Sequence, residues 1–374
     1  MQGESVKKIV HIITALNDGG AEAVLYRLCK GEVQNQHYVV SLMGGGKYAP
    51  LLKKNNVKVS CLNMPPGKVS LSGLWKLWCI LKKEKPDVVQ TWMYHANLIG
   101  GILSRLSGIK NVFWGIHHTV LEPGKSKRST IFVSKLCAKF SSFVPKLIVC
   151  CAEKSREIHA KEGYDVSKLV VVSNGYDLSK FSIDNASGNA IRNELCLDNS
   201  LLLGMIGRFD PAKDHSNLLK SLSMLDFDFN CLLVGPGMTP DNRILAEQIH
   251  TLGLSDKLFL MGPRADIPNI MNALDLHLLS SRSEAFPNVL AEAMACGTPC
   301  VSTDVGDANV IIGDTGWVVP AMDAKGFAQA VIFARDEMRD KIKWNERCIS
   351  VRDRIAEKFS LDKMIENYID IWRR

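Results

Sequence analysis

The chain has 374 residues, 46% of them apolar and 23% charged. That length suits two domains and the composition is that of a packed protein, which excludes a disordered chain, a collagen-like repeat and a disulfide-knotted miniprotein. The formal charge of +7 is unevenly spread, with +14 over residues 1–182 and −7 over residues 183–374, so the basic half suits an anionic surface or partner unless it is only a well-solvated face.

No apolar stretch approaches the ~18–20 residues of a membrane-spanning helix. The run from Ile9 to Leu16 is broken by His11 and Thr14. It leads into Asn17-Asp18-Gly19-Gly20 rather than a cleavage site of small residues, so a soluble chain without a signal peptide is expected. The 11 cysteines are scattered through apolar segments with no Cys-x-x-Cys pair, which points to the reducing cytosol. Cys296 and Cys300 straddle a turn and read as buried thiols rather than metal ligands.

Short β-branched runs alternate with amphipathic segments along the whole chain. The first half predicts strands at Lys8–Thr14, His37–Leu42, Val57–Cys61, Val88–Thr91, Val112–Ile116 and Leu147–Cys150. Residues 182–189, small, polar and patternless, read as a linker. The second half predicts strands at Leu201–Ile206, Asn230–Val234, Leu258–Met261, Leu276–Ser280 and Pro299–Ser302. With one helix in each interval, the fold class is α/β: two doubly wound, Rossmann-like domains, 1–182 and 183–358, with residues 359–374 as a terminal helix. Parallel sheets bind ligands at the carboxyl ends of their strands, so a ligand is expected in a cleft between the two.

The strongest local signal lies at residues 280–303. A strand ends near Ser280, Pro287 suits the first turn of a helix, and Gly297 ends it. Glu284 falls in the loop ahead of that helix and Glu292 more than a turn inside it. Between them the amides of Asn288, Val289 and Leu290 would favour a phosphate, although Glu284 taken alone could simply complement the helix dipole. After the strand ending at Ile206 comes Gly207-Arg208-Phe209-Asp210-Pro211-Ala212-Lys213, in which Asp210 is expected to cap a helix opened by Pro211. Arg208 and Lys213 then offer a guanidinium fork and a point charge suited to a diphosphate, with Gly207 permitting close backbone approach. Near the amino terminus, Gly19 and Gly20 open a helix and would let a ligand reach the backbone, as they would in any tight connection.

These pieces resemble the family-four retaining glycosyltransferases of two-Rossmann-domain, or GT-B, architecture. The resemblance is carried by Gly-Gly-Ala-Glu at 19–22, Val-Ser-Asn-Gly-Tyr-Asp at 172–177, Gly-Arg-Phe with Lys213, Leu-Val-Gly-Pro-Gly at 233–237, and the Glu-x7-Glu pair Glu284 and Glu292. Trp-Gly-Ile-His-His-Thr at 114–119, with the Lys-Ser-Lys-Arg run that follows, resembles bacterial members that build O-antigen, capsule or related surface polysaccharide.

The resemblance implies a nucleotide-sugar donor, UDP-linked, as substrate, with no cofactor, no metal and no nucleic-acid partner. Arg208 and Lys213 would hold the diphosphate, Glu292 the ribose and Glu284 the donor sugar. The segment from Phe286 through Pro287, Asn288 and Val289 would line the donor, and Pro263-Arg264-Ala265-Asp266-Ile267 would pass the nucleobase. His117 or His118 would orient the sugar, and the doublet leaves the two as rivals. The expected product is a hexose or N-acetylhexosamine on a saccharide or lipid-linked acceptor, formed with retention at the cytoplasmic side of the inner membrane. Helices bearing Trp75, Trp78 and Phe140–Val144, with neighbouring lysines, could add peripheral membrane contact or could be core packing. Asp226-Phe-Asp228, Gly44-Gly45-Gly46-Lys47 and Gly124-Lys125-Ser126 imitate metal or nucleotide motifs but lack their context. The rival readings are a sugar-nucleotide epimerase of the same architecture and a polyanion-binding protein.

Overall fold

The computed structural model describes residues 6–117, 128–197, 200–284 and 286–374. These form two compact units, Met1–Gly175 with Leu361–Arg374, and Tyr176–Ser360.

The first unit alternates β1 (Lys8–Ile13), α1 (Gly20–Gly31), β2 (Gln36–Ser41), α2 (Tyr48–Lys54), β3 (Lys58–Cys61), α3 (Leu71–Glu84), β4 (Val88–Trp92), α4 (Tyr94–Leu106), β5 (Val112–Ile116), α5 (Arg128–Phe140), β6 (Leu147–Cys150), α6 (Glu153–Lys161) and β7 (Leu169–Val171). Its seven strands lie in the order β3-β2-β1-β4-β5-β6-β7, and every pair is parallel. Their side chains alternate between two cores, which is why the strands read as nearly continuous apolar runs. Val10, Ile12, Val40, Val89, Trp114 and Ile148 face one way, with Leu77 of α3 and Ala96 of α4. Ile9, Ile13, Val39, Val88, Trp92 and Phe113 face the other, with Val24 and Leu28 of α1.

The second unit runs α7 (Asn185–Glu194), β8 (Leu202–Ile206), α8 (His215–Leu222), β9 (Asn230–Val234), α9 (Arg243–Thr251), β10 (Leu258–Gly262), α10 (Ile267–Ala273), β11 (Leu276–Leu279), α11 (Asn288–Ala295), β12 (Cys300–Thr303), α12 (Ala308–Ile312), β13 (Trp317–Val319), α13 (Ala324–Met338) and α14 (Lys341–Phe359). Its strands take the order β10-β9-β8-β11-β12-β13, again all parallel. The chain then re-enters the first unit as α15 (Leu361–Arg373). There Met364, Tyr368, Ile371 and Trp372 are buried in the core shared with α1, and the Trp372 indole donates to Gln90 Oε1 at 3.2 Å.

The predicted linker at 182–189 is mostly helix. The Asp184 carboxylate caps α7 by accepting from Ser187 N at 3.1 Å, and Ile191 is buried. Gly188 lies so close to α10 that a Cβ would stand 2.4 Å from the Asn272 carbonyl oxygen. The small residues that looked patternless therefore let two helices touch. The chain passes between units at Gly175/Tyr176 and Ser360/Leu361, rather than at residues 182 and 358. Strands β7 and β13, three residues each at sheet edges, are additional to the predicted set, although Leu169–Val172 is an apolar run as long as that of the predicted strand Leu147–Cys150.

Candidate active site

In the second sheet the strand order reverses between β8 and β11, and connections leaving neighbouring strands at such a point diverge to open a crevice at their carboxyl ends. The β8 connection carries Arg208 and Lys213, and the β11 connection carries Glu284. Asp210 accepts from Ala212 N at 2.9 Å and so fixes a 3₁₀ turn over Pro211–Lys213. Lys213 Nζ then donates to Glu284 Oε1 at 2.6 Å, and Ser281 Oγ donates to the same oxygen at 2.8 Å. Lys213 and Glu284 are both largely covered, at 18% and 15% side-chain exposure. Arg208 is open to solvent and meets Asp210 at 3.3 Å. The Ala212 amide, followed by the Arg208 and Lys213 charges, holds the Asp210 carboxyl below its ordinary range despite partial burial.

The backbone of Gly207 is itself closely approached by Gly235. A Cβ on Gly207 would rest in ordinary contact with the Lys213 methylenes at 3.5 Å. Gly235, with φ +140°, would place one 2.2 Å from the Gly207 carbonyl oxygen. The 235–237 turn buttresses the Arg208 loop through Phe209 N donating to Pro236 O at 2.8 Å.

Helix α11 begins with Asn288, and Pro287 occupies the cap position, one residue earlier than predicted, with no side chain to bond the first turn. The Leu290 amide, one of the three proposed for a phosphate, turns back to Pro287 O at 3.1 Å. Phe286 is a core residue: its ring is stacked 6.4 Å from Tyr176 and packs 6.0 Å from Phe359. Tyr176 Oη donates to Asn288 Oδ1 at 2.5 Å, so these aromatics anchor the start of the helix. Val289 and Glu292 are half-buried on α11, and Gly297, with φ +79°, follows its end. Arg264, after edge strand β10, is fully engaged by Glu194 at 2.8 Å and Asp266 at 2.8 Å. What that segment, running to Ile267, can offer a ligand is therefore backbone rather than a guanidinium. Asp226 and Asp228 are exposed just before β9, at the opposite end of the sheet from Lys213.

In the first unit the reversal falls between β1 and β4. Among the described residues, a Cβ on Gly20 would meet nothing within 4 Å, and one on Gly19 would first meet the Glu22 carboxylate. After β4, Met93 holds φ +72°, a conformation strained for a residue with a side chain. His117 follows β5 and stacks on Trp92 at 5.1 Å. Its buried Nε2 has no hydrogen-bond partner among the described residues. Burial, reinforced by the Arg27 charge, lowers its pKa to about 4, so the ring is neutral at pH 7. His118 and residues 125–127, including the rest of the Lys-Ser-Lys-Arg run up to Arg128, lie outside the described residues.

Among the described residues, the group with metal-ligand chemistry is His11, Cys29 and His37. Its nitrogens are already committed. The Trp92 indole can only donate, and it meets His11 Nδ1 at 3.2 Å. Neutral His11 therefore carries its proton on Nε2 and gives it to His37 Nδ1 at 2.9 Å, while His37 Nε2 donates to Glu32 at 2.8 Å. This is a closed hydrogen-bond chain, with Trp372 of α15 packed 5.9 Å from His11.

Sequence reasoning missed Ser281 and Trp92. Ser281 lies three residues before Glu284, a spacing that suits a loop hydrogen bond, whereas nothing in the sequence pairs Trp92 with His117.

The family profile of glycosyl transferases group 1 matches residues 200–336 and that of glycosyltransferase family 4 matches residues 18–180. The chain therefore carries a glycosyltransferase family 4 domain followed by a glycosyl transferases group 1 domain, with the GT-B type of fold. It is 29% identical to the Escherichia coli UDP-Gal:alpha-D-GlcNAc-diphosphoundecaprenol alpha-1,3-galactosyltransferase, over 81% of this chain and 79% of the relative. It is 26% identical to the Staphylococcus aureus capsular polysaccharide biosynthesis glycosyltransferase CapM, over 78% and 77%. Anabaena HepE, solved in complex with UDP, superposes with a TM-score of 0.85 at 21% identity, over 97% of this chain and 98% of that one.

Proposed function

We propose that this glycosyltransferase moves a hexose or N-acetylhexosamine from a UDP-sugar to a lipid-linked saccharide, with retention and without a metal ion, in bacterial surface-polysaccharide assembly. The observation that carries this reading is the Lys213–Glu284 pair at the reversal point of the second sheet, beside Arg208 and ahead of α11. The names of the E. coli and S. aureus relatives support the acceptor class, and the UDP complex of HepE supports the nucleotide.

Cleaving a sugar–phosphate bond builds negative charge on the departing diphosphate. Arg208, Lys213 and the positive end of α11 are preorganised to receive it, so no metal charge is needed. Glu284 would contact the sugar hydroxyls and Glu292 the ribose, with His117 as a neutral hydrogen-bonding group for the sugar. No carboxylate is placed as a nucleophile in this scheme, which favours front-face attack by the acceptor hydroxyl.

We assign peripheral membrane contact to the α3–α5 layer of the first unit. Trp75, Phe132 and Phe143 are 63%, 62% and 77% exposed, where core packing would have covered them. Lys76, Lys82, Lys83, Lys135 and Lys139 are exposed on the same helices. Each cation contributes ~1 kcal/mol near an anionic bilayer. No helix among the described residues is long and apolar enough to cross a membrane. Vesicle sedimentation should therefore rise with anionic lipid content and fall with salt, and indifference to both would remove the assignment.

The test of the reaction is to incubate UDP-, GDP- and dTDP-sugars with lipid-linked acceptor in EDTA and read the anomeric configuration of the product by NMR. A UDP-dependent α-linked product is expected. Inversion, loss of activity on chelation, or turnover without acceptor would each overturn part of the proposal.

A further inference from the structure

The two connections that meet at the candidate site are stitched together beneath it. Asp214, immediately after Lys213, holds φ +50° and its carboxylate is buried at 2% side-chain exposure. Arg282, two residues before Glu284, grips that carboxylate through both arms of its guanidinium, Nε to Oδ2 at 2.5 Å and Nη2 to Oδ1 at 2.9 Å. The Arg282 amide donates to Ala212 O at 2.7 Å. Ser280 Oγ lies 3.0 Å from Lys213 O and 3.1 Å from Asp214 O.

A two-armed Arg–carboxylate contact fixes orientation as well as distance. Here it joins the residue following Lys213 to the residue two before Glu284. The left-handed turn at Asp214 also makes its carboxylate the cap of α8, accepting from Asn217 N at 3.3 Å. Without the fork, the β8 and β11 connections would share fewer fixed points, and Lys213 could drift from the position in which both a diphosphate and Glu284 can reach it. Resting on the donor-site reading above, we infer that Arg282 is a positioning residue: through Asp214 it holds Lys213 and Glu284 in register for the donor diphosphate.

The test compares full-length wild type with Arg282→Met, Arg282→Lys, Asp214→Asn and Lys213→Ala, by UDP titration and donor and acceptor kinetics. Asn keeps the helix cap and tolerates the left-handed conformation, but it cannot accept the two-armed contact. Arg282→Met and Asp214→Asn are expected to raise the UDP Kd and donor KM by about tenfold, the loss of roughly one charge-assisted hydrogen bond's alignment. Acceptor KM should stay unchanged. Arg282→Lys should fall between, and added guanidinium should partly rescue Arg282→Met.

Wild-type UDP affinity in Asp214→Asn would overturn the inference, and with Arg282→Met weakened it would mean that Arg282 meets the phosphate directly. Should Arg282→Met fail to fold, Asp214→Asn decides alone. If wild type binds no UDP, or Lys213→Ala binds it equally well, the donor-site reading fails instead. The positioning claim is then decided by the thermal-stability coupling of Lys213 with Glu284, which must disappear when Asp214→Asn is introduced and whose persistence would refute it.

Discussion

Lys213 and Glu284 hold each other 2.6 Å apart with little solvent on either, so removing one leaves the other as a partly buried, unmatched charge. Before a diphosphate arrives, Glu284 is the counter-ion of Lys213. Glu284→Gln should therefore bind UDP at least as tightly as wild type while transfer falls by roughly two orders of magnitude. Lys213→Ala should weaken UDP about 10- to 100-fold, the range for a charge-assisted contact. Calorimetry with UDP, set beside initial rates, separates the two effects; weaker UDP binding by Glu284→Gln would contradict this view of the pair. His117, with a pKa of about 4, stays neutral down to mildly acidic pH. His117→Ala should lower kcat with UDP affinity intact, and the wild-type rate should show no inflection near 6.5 that this variant abolishes. The positions of Glu284 and Lys213 just beyond strand ends were legible in sequence from where the apolar runs of β8 and β11 stop. The packing of the Phe286 ring was not legible, because a ring between a loop and a helix can turn either way, and its stacking on Tyr176 fixes which.

At the scale of elements, the strands of four to six residues were legible because burial on both faces makes them continuous apolar runs. Helix α7 was not, since its sequence is mostly small and polar. Its identity comes from the Asp184 cap and from contact with α10 at Gly188, both invisible to periodicity. Gly188→Val should overpack that contact, costing ~1–3 kcal/mol and lowering the melting transition of the second unit by roughly 3–10 °C; an unchanged melt would show that the two helices can separate freely. Helix α15 has the opposite character, strongly patterned and buried through Met364, Tyr368, Ile371 and Trp372. At roughly 2 kcal/mol per buried large side chain, deletion after Ser360 removes an amount comparable with the stability of a whole domain. Limited proteolysis of the truncated chain should find the first unit cleaved and the second protected.

For the whole molecule, acid sensitivity follows from buried imidazoles. Burial is the main cause lowering the pKa of His117 and His215 to about 4 and of His277 to about 3, and it also drives His11 well below its ordinary value. Unfolded histidines take up protons from about pH 6.5 downward and these folded ones do not. Their contribution is complete above 6.5 and is lost as pH falls toward 4, by on the order of 1 kcal/mol per pH unit for each. His277, whose ring nitrogens have no partner among the described residues, offers the check: His277→Leu should melt above wild type at pH 5, with the gap narrowing by pH 7.5. The two-unit α/β plan was visible from strand alternation alone. The passages between units were not, because at Gly175 and Ser360 no change of composition marks them. The central claim, that the second unit's Lys213–Glu284 site handles a nucleotide-sugar donor, is tested most directly by UDP release in EDTA, with and without lipid-linked acceptor, in wild type and Glu284→Ala. Release that requires acceptor, survives chelation and collapses in the variant is the predicted result; release at the same rate in Glu284→Ala, or none from any nucleotide sugar, would contradict it.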